Sequence, residues 1–352
     1  MLINSLAMKI QLTFCLLFIL GFYNSSFGQK YPEAYVCYKS TFPIVVDGNL
    51  SKSEWSSAKW SNNFVDIEGV NKPLPTYATK MKMLWDEDYL YVAAELQEPH
   101  IWAKLKQRDT VIFYDNDFEV FIDPQGDNHL YYEFEMNAFN TIWDLLLVKP
   151  YRDGAPAINA WDIKGLKSAV KIYGSINDPS DNDDKWTVEI AFPWQVLKEC
   201  ALGQRKPQSG EQWRVNFSRV NWNVEVVNGN YQKKKDPKTG RIFPEHNWVW
   251  SPQGVIAMHQ PETWGYVQFS DKLAGEDTER FIPDEDYAFK ITLIHIYQQE
   301  KKYFAENGYY TDELDVDLST QIEITKKQFL AYKKSKSGKV WYINQESKIW
   351  SE

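Results

Sequence analysis

The sequence KMKMLWDEDYLYVAAEL, residues 80–96, decides the fold class of this protein. Polar and apolar residues alternate at its start, from Lys80, and the apolar run Tyr89 to Leu96 follows a short acidic segment. A period of two is typical of a β-strand, because successive side chains of a strand point to opposite faces. Two such runs separated by a short polar turn predict a β-hairpin.

Short runs of the same kind recur on both sides of this hairpin. They are Thr41–Asp47, Asp117–Ile122, Tyr131–Met136, Ile142–Val148, Ala169–Tyr173, Trp186–Phe192, Trp213–Val220 and Gly265–Phe269. Many short strands without long helices between them predict an all-β fold, an antiparallel two-sheet β-sandwich of the jelly-roll or immunoglobulin-like kind, over residues 29–275. Ser51 and Glu54, at capping-box spacing, predict one helical turn ahead of the hairpin.

The first residues have the order of a secretory signal peptide. Lys9 precedes the apolar run Leu12 to Tyr23, and small residues lead to Gly28. The apolar run is shorter than the ~20 residues that a membrane-spanning helix needs. We therefore expect residues 1–28 to be a cleaved leader, and the mature protein to be secreted or periplasmic without membrane insertion.

The last part of the chain has a different pattern. Tyr287, Ile291 and Ile294 are spaced as on one face of a helix, with no glycine or proline before Gly308. The sequence predicts a helix that begins near Asp286, within a helical C-terminal extension over residues 276–352. A docking element for a protein partner and a stabilising cap are both open roles for it.

Composition restricts the partners. The net charge of −9 disfavours binding to a phosphate backbone, so nucleic acid is excluded as the expected partner. Aromatic residues make up 16% of the chain, with 15 Trp and 21 Tyr. Flat rings with a polar edge suit sugars, although a thick β core uses the same residues. Cys37 and Cys200 could form a disulfide or remain two buried thiols.

The sequence lacks the common signatures of catalysis. It contains no nucleophile elbow, no HExxH zinc motif, no phosphate-binding glycine loop and no CxxC pair, and its five histidines are scattered. Glu133 and Glu135 would lie side by side on one face of a strand, whereas a glycosidase needs two carboxyl groups across a scissile bond. We expect a protein that is not an enzyme; glycoside hydrolysis is the enzymatic alternative.

The segment DNDFEVFIDP, residues 115–124, carries the main candidate polar groups. Alternation places Glu119 on the face opposite Phe118 and Val120, among mostly polar neighbours. Carboxylate oxygens favour calcium over transition metals. The predicted ligands of a structural calcium ion are Asp115, Asp117, Asp123 and Asp127.

Seven short motifs, in this order, resemble the family 9 carbohydrate-binding modules and their relatives in extracellular bacterial proteins. The motifs are VDGNLSKSEW (46–55), LWDEDYLYV (84–92), NDFEVFID (116–123), YEFEMN (132–137), WTVEIAFPW (186–194), FSR (217–219) and HQPETWG (259–265). The resemblance covers residues 42–269. It implies a two-sheet β-sandwich, structural calcium, and a slot that holds the end of a sugar chain between two aromatic rings.

The resemblance also implies roles for single residues. Glu119 matches the sugar-bonding carboxylate, and Phe113 or Tyr114 lies where one sandwiching ring is expected. The second ring falls near Met258, with Trp248 and Trp250 as nearby substitutes. The sugar-binding arginine of the family falls near Glu135, which reverses the charge at this position.

These observations favour non-catalytic binding of an extracellular glycan. Stacking is expected from Tyr114, Trp143 or Trp250 and hydrogen bonds from Glu119, Asn137 and Arg219. The full predicted binding set is Phe113, Tyr114, Glu119, Glu135, Asn137, Trp143, Arg219, Trp250 and Met258. No cofactor other than calcium is expected.

Two other functions are compatible with the sequence. One is a scaffold module with a degenerate sugar slot, whose C-terminal extension binds a partner. The other is haem binding by the sandwich, with Met136, Met258 or His259 as axial ligands. The acidic residues Glu119 and Glu135 disfavour haem, which requires an apolar pocket.

Overall fold

Strands dominate the part of the chain that the computed structural model describes, residues 31–276 and 278–352. The first fifteen strands are β1 Ala34–Lys39, β2 Val65–Asp66, β3 Thr79–Trp85, β4 Tyr89–Gln97, β5 Asp117–Asp123, β6 Tyr131–Asn137, β7 Ile142–Leu147, β8 Ala157–Ile158, β9 Lys167–Tyr173, β10 Lys185–Pro193, β11 Gln212–Asn221, β12 Val224–Val227, β13 Asn230–Lys233, β14 His246–Val249 and β15 Gly265–Leu273. The predicted leader, residues 1–28, lies outside the described residues.

The remaining elements are a second group of strands and a few helices. The strands are β16 Thr320–Ile324, β17 Phe329–Lys334, β18 Val340–Asn344 and β19 Ile349–Ser351. The α-helices are α1 Ser53–Ser56, α2 Trp194–Leu197 and α3 Tyr287–Asn307. Short 3-10 turns occur at Gly69–Asn71, Ile112–Tyr114, Tyr151–Asp153, Lys198–Cys200, Leu202–Gln204 and Pro261–Thr263.

Thirteen of these strands form one continuous sheet. Its order is β8-β7-β6-β5-β11-β15-β1-β3-β4-β10-β9, with β14 beside β11 and β2 beside β14. All neighbours are antiparallel except that β1 runs parallel to both β15 and β3. The prediction of a mostly β chain is confirmed, and the hairpin predicted from residues 80–96 is β3–β4.

The sheet folds over so that its two halves enclose one core. Phe118, Val120 and Phe134 from one half join Val92 and Phe192 from the other in a single buried cluster. The rings of Phe134 and Phe192 meet edge to face at 5.3 Å. Alternation therefore assigns one face of β5 and β6 to the core and leaves the opposite face for polar groups. The finer jelly-roll or immunoglobulin-like arrangement stays a prediction.

A buried carboxylate holds the first motif against the sheet. Glu189 on β10 accepts hydrogen bonds from the backbone N–H groups of Asp47 and Gly48 at 2.8 and 2.9 Å, and from Trp55 Nε1 at 2.7 Å. Gly48 has φ +78°, and a Cβ there would lie 2.9 Å from the backbone of Lys171. The motif residues thus have a structural role, because they bring two segments distant in sequence together.

Two local predictions ahead of the hairpin are wrong. Residues 41–47 form no strand, and the backbone N–H of Asp47 at the end of this segment donates to the carboxylate of Glu189. The helical turn exists as α1, but its N-cap is Lys52 and no side chain caps it. The predicted Ser51 and Glu54 capping box is absent.

The C-terminal region contains the expected helix and also a small sheet. Helix α3 is followed by the antiparallel meander β16–β19, and Leu293, Ile296, Phe329 and Ile343 form their shared core. The description of residues 276–352 as a helical extension is therefore incomplete. Within the described ranges, no helix is long and apolar enough to cross a membrane.

One aspartate fastens this region to the main sheet. Asp153, at the end of a 3-10 turn, accepts hydrogen bonds from Tyr297 and Ser347, each at 2.7 Å, and forms an ion pair with Lys301 at 3.0 Å. Hydrogen bonds to an ionised and buried acceptor are among the stronger ones. The extension is thus attached to the sheet by specific polar contacts.

The two cysteines outside the leader are separate thiols. Cys37 lies on β1 and Cys200 on the turn after α2, and both are buried and free. Burial raises the pKa of each thiol. Of the two alternatives, the structure shows the pair of buried thiols.

Candidate functional site

Four side chains form a row across four adjacent strands on the face of the sheet away from the core. Trp143 on β7 pairs with Glu135 on β6, Glu135 with Glu119 on β5, and Glu119 with Ser218 on β11. Directly paired residues of antiparallel strands have Cβ atoms about 4.5–5.5 Å apart. The row therefore places an indole and two carboxylates in contact range of one another.

Two more carboxylates flank this row. Asp117 precedes Glu119 by two residues on β5, and Glu133 precedes Glu135 by two residues on β6. All four acidic side chains are buried. We call Asp117, Glu119, Glu133 and Glu135 the carboxylate cluster.

The carboxylate cluster has no cationic side chain to neutralise it among the described residues. Its one ion-pair contact there is His259 Nε2, 3.8 Å from Glu133 Oε1, and burial lowers the pKa of this histidine to about 4. Burial raises the pKa of Glu119 to about 7. Burial, and then repulsion from Glu119, raise the pKa values of the other three carboxyls well above their usual range.

Hydrogen bonds satisfy only part of the cluster. Glu135 Oε2 accepts the backbone N–H of Phe113 at 3.0 Å, and Asp117 Oδ1 accepts that of Val220 at 3.3 Å. In the described structure Asp117 Oδ2 and Glu133 Oε2 have no hydrogen-bond partner, although both atoms are buried. Trp143 Nε1 is a buried donor with no partner in the same part of the chain. These three buried atoms are polar groups of the face that remain without a partner in the described structure.

Aromatic rings border the cluster on two sides. Tyr114, 55% exposed, stacks edge to face on Phe113 at 5.0 Å. Tyr151, 45% exposed, meets the ring of His259 at 4.5 Å. Burial, and then the charges of Glu133 and Glu135, raise the pKa of Tyr151 to about 12.

The hairpin β12–β13 adds a cation on the Tyr114 side. Lys233 Nζ lies 3.2 Å from the ring centroid of Trp222 and 5.6 Å from that of Tyr114. Trp222 Nε1 donates to the carbonyl of Phe113 at 2.8 Å, which fixes the turn that carries Tyr114. A donor and an exposed ring thus lie at one margin of the face.

Five of the predicted binding residues are brought together here. Phe113, Tyr114, Glu119, Glu135 and Trp143 lie in or beside the row. Met258 packs against the apolar cluster of Phe121 and Trp264 next to Trp143, so it also belongs to this face. Tyr151, His259 and Glu133 were not predicted as binding residues. Tyr151 and His259 lie outside the strands, so no alternation of residues predicts which way their side chains point.

Arg219 does not belong to this face, contrary to the prediction. Its register partner on β5 is Phe118, a core residue, and its guanidinium is fully buried. It donates to Glu98 Oε2 at 2.7 Å and to the carbonyl of Gln97 at 2.7 Å. Adjacent residues of a strand point to opposite faces, so Ser218 faces the cluster and Arg219 faces the core.

Trp250 is a core residue as well. It is buried in the main cluster with its ring 5.6 Å from that of Phe217. A Cβ on Gly265 would overlap its indole, so the glycine makes room for this ring. The prediction of Trp250 as a stacking residue is wrong because the indole has no exposed face.

Asn137 lies near the carboxylate cluster, but its side-chain amide already makes hydrogen bonds within the protein. Its Nδ2 donates to the carbonyl of Leu105 at 2.8 Å and to Asp115 Oδ2 at 3.0 Å, while its Oδ1 accepts the N–H groups of Phe139 and Thr141. These four bonds fill the capacity of the two N–H donors and both lone pairs. Asn137 therefore fixes the turn between β6 and β7.

The four predicted calcium ligands do not converge in the described structure. Asp115 accepts the backbone N–H groups of Lys104 and Leu105, each at 2.8 Å. Asp123, at the opposite end of β5, accepts those of Gly126 and Asn128. Asp127 accepts the N–H of His129 at 2.9 Å. Only Asp117 joins a group of carboxylates that could hold a metal, together with Glu119 and Glu135.

Of the predicted haem ligands, Met136 is separated from Met258 and His259. Met136 is in the core of the sheet, whereas Met258 packs on the opposite face. His259 Nδ1 is hydrogen bonded to Tyr131 at 3.1 Å. This arrangement offers no pair of axial ligands on the two sides of one pocket.

Comparison with known proteins supports the resemblance seen in the sequence. Residues 46–216 match the family model described as carbohydrate family 9 binding domain-like. No curated protein matches the chain.

Three solved structures are similar over about two thirds of the chain. A putative carbohydrate-binding protein from Bacteroides uniformis has 14% identity and a TM-score of 0.49, covering 68% of this chain and 100% of its own. A family 9 carbohydrate-binding module from Caldicellulosiruptor kristjanssonii in complex with cellotriose has 15% identity, a TM-score of 0.41, and coverage of 71% and 100%. A family 9 module from the same organism in complex with glucose has 16% identity and a TM-score of 0.40, and the match covers 70% of this chain and 100% of that module.

Proposed function

Because residues 46–216 match the carbohydrate family 9 binding domain-like family, we propose that this protein binds a glycan without transforming it. The proposed site is the face that carries the row of Trp143, Glu135 and Glu119. The protein would act outside the cytoplasm, in the periplasm or after secretion, as the leader-like residues 1–28 indicate.

The observation that carries this proposal is the combination of rings and unsatisfied polar atoms on one face. Tyr114 and Tyr151 present exposed aromatic surface at two margins, and Trp143 Nε1 is a buried donor without a partner among the described residues. A sugar ring has apolar faces that stack on aromatic rings and hydroxyls that donate to carboxylates. This face supplies both kinds of contact within one row of side chains.

The arrangement of the carboxylates favours binding over hydrolysis. Oxygens of Asp117, Glu119 and Glu135 lie within 4.8 Å of one another, side by side on neighbouring strands. Retaining glycosidases hold two carboxyl groups about 5–5.5 Å apart, and inverting enzymes about 6.5–9.5 Å apart, on opposite sides of the scissile bond. These three carboxylates lie side by side, which is not the arrangement that glycosidases use.

Glycan retention tests the proposal. The purified protein is applied to an array of plant, algal and host glycans, once with Ca²⁺ and once with chelator. We expect retention of one glycan class. Absence of retention under both conditions, with a folded protein, would contradict glycan binding and favour the scaffold alternative, in which residues 276–352 bind a protein partner.

A further inference from the structure

Three lysines line a groove near Tyr114, at one margin of the proposed glycan site. The groove has a volume of about 580 Å³, and residues of the hairpin β12–β13 and of the segment 103–104 contribute to its wall. Lys104, Lys233 and Lys235 are part of its lining, and no acidic residue of the described chain is. We call it the lysine groove. It is a positive region on a protein whose net charge is −9.

The ammonium groups of the three lysines have no ion-pair partner. Within the part of the chain that the structure describes, none of them forms an ion pair or a hydrogen bond. A groove beside α2 shows the contrast, because its basic residues are paired: Lys206 with Glu87, and Arg205 with Glu211. Several unpaired cations in one concave region attract an anion.

An indole holds the ammonium group of Lys233 in place. Its Nζ lies 3.2 Å from the ring centroid of Trp222. Burial lowers the pKa of Lys233 to about 8, although the charges of Asp115 and Glu245 act in the opposite direction. The group is still mostly charged at neutral pH, and an anion beside it would favour the charged form further. A cation that is already held in position loses little side-chain freedom when it binds an anion.

One short turn connects the lysine groove to the row of carboxylates. The backbone N–H of Phe113 donates to Glu135 Oε2 at 3.0 Å, which ties this turn to the row. The next residue, Tyr114, has its ring centroid 5.6 Å from Lys233 Nζ. A sugar that stacks on the exposed ring of Tyr114 therefore lies next to both the row and the lysine groove.

The row itself is unsuited to an acidic group. Glu119 and Glu135 would repel a carboxylate or a sulfate, whereas they can accept hydrogen bonds from sugar hydroxyls. The two neighbouring regions thus favour different chemical groups of one ligand, hydroxyls at the row and an anion at the lysine groove.

We propose that the bound glycan is acidic, and that its carboxylate or sulfate group binds in the lysine groove at Lys104, Lys233 and Lys235. This proposal rests on the proposed function, because it names the class of glycan that the same site binds. A hydroxylated sugar would contact the row, and an adjoining sugar would place its anion in the groove. Lysine is a point charge without the bidentate geometry of arginine, so uronic acids and sulfate esters both meet its requirement.

Matched pairs of glycans test the proposal on the whole protein. The array carries acidic glycans beside their neutral forms, such as polygalacturonate with its methyl ester and a sulfated galactan with the desulfated galactan. We expect retention of an acidic glycan and at least about ten-fold weaker binding of its neutral form. Weakening on esterification assigns a carboxylate, and weakening on desulfation assigns a sulfate. Raising NaCl from about 50 to 500 mM should weaken binding of the acidic form, because salt screens the charges.

Lysine variants locate the anion. The double variant Lys104→Gln, Lys233→Gln should bind the acidic glycan at least about ten-fold more weakly and the neutral form as before. Lys233→Arg keeps the positive charge over the indole and should bind the acidic glycan within about two-fold of the unaltered protein. The matched control is Lys234→Gln, at an exposed lysine of the same segment that does not line the groove, and it should bind normally.

The outcomes separate this proposal from the proposed function. Retention of neutral glycans alone, or equal affinity for the acidic and neutral forms, would overturn the lysine groove as an anion site and leave glycan binding intact. Binding of an acidic glycan that Lys104→Gln with Lys233→Gln leaves unchanged would also overturn it, because the anion would then lie elsewhere. Retention of no glycan would contradict the proposed function, and the proposal that rests on it.

Discussion

Glu119 on β5 and Glu135 on β6 are direct cross-strand partners, and both carboxylates are buried on the face of the sheet away from the core. Like charges placed directly opposite each other destabilise a sheet. A fold that keeps such a pair requires something to neutralise it. Protons can do so, because burial raises the pKa of both carboxyls.

In the presence of chelator, the free energy of unfolding should fall as the pH rises from about 4 to 7. Burial raises the pKa of Glu119 to about 7, above the ~4.3 of an exposed glutamate. Between these two pH values the folded protein holds a proton that the unfolded chain has released. The stabilisation that comes from this proton is fully present below pH ~4.3 and is lost as the pH rises towards 7. Glu119 alone would contribute on the order of 3 kcal/mol.

Chemical unfolding at pH 5 and pH 7.5 in chelator measures this effect. We expect a lower free energy of unfolding at the higher pH and a weaker pH dependence for Glu119→Gln, which cannot titrate. A free energy that stays constant or rises across this window would show that the carboxylates are neutralised in another way.

Tyr151 should contribute to glycan affinity although no pattern in the sequence indicated it. Its ring is half exposed beside His259, so Tyr151→Ala removes a stacking surface without opening the core. We expect the affinity for a retained glycan to fall by about three- to ten-fold. Tyr309→Ala, which alters an equally exposed ring on the C-terminal extension, is the control and should have no effect.

Arg219 should matter for stability and not for glycan contact. Its guanidinium forms a buried ion pair with Glu98 at 2.7 Å. Arg219→Ala would leave the carboxylate of Glu98 buried without its counter-charge, which costs about 3–5 kcal/mol. Denaturant unfolding should show this loss, while Arg205→Ala, at a partly exposed pair with Glu211, should cost less than about 1 kcal/mol. A loss of similar size in the two variants would contradict the burial argument.

The strand pattern could be predicted from the sequence because it depends on neighbouring residues. Alternation around residues 80–96 predicted β3 and β4, and alternation in residues 117–122 placed Glu119 opposite Phe118. Both follow from the period of two that every strand imposes on its side chains. The long helix α3 was predicted for a similar reason, as its apolar residues repeat with the helical period.

Part of the site could not be predicted, because it depends on register between distant strands. Glu119 and Ser218 are paired although 98 residues separate them along the chain. A shift of one residue on β11 would have placed Arg219 beside Glu119, on the face that carries the predicted binding residues. Trp250 illustrates a second limit, because the same indole can stack on a ligand or fill a core. Only the packing around Gly265 decides between these roles.

The most direct test of the account is the effect of Trp143→Ala on glycan affinity, measured by calorimetry with a glycan that the unaltered protein retains. Trp143 lies in the row with Glu135 and Glu119, and its N–H has no partner within the described residues. Trp350→Ala, at a half-buried indole stacked on Tyr342 in the extension, is the matched control. The account predicts that Trp143→Ala weakens binding by at least about ten-fold and that the control does not. Unchanged affinity of folded Trp143→Ala would contradict the assignment of this face as the glycan site.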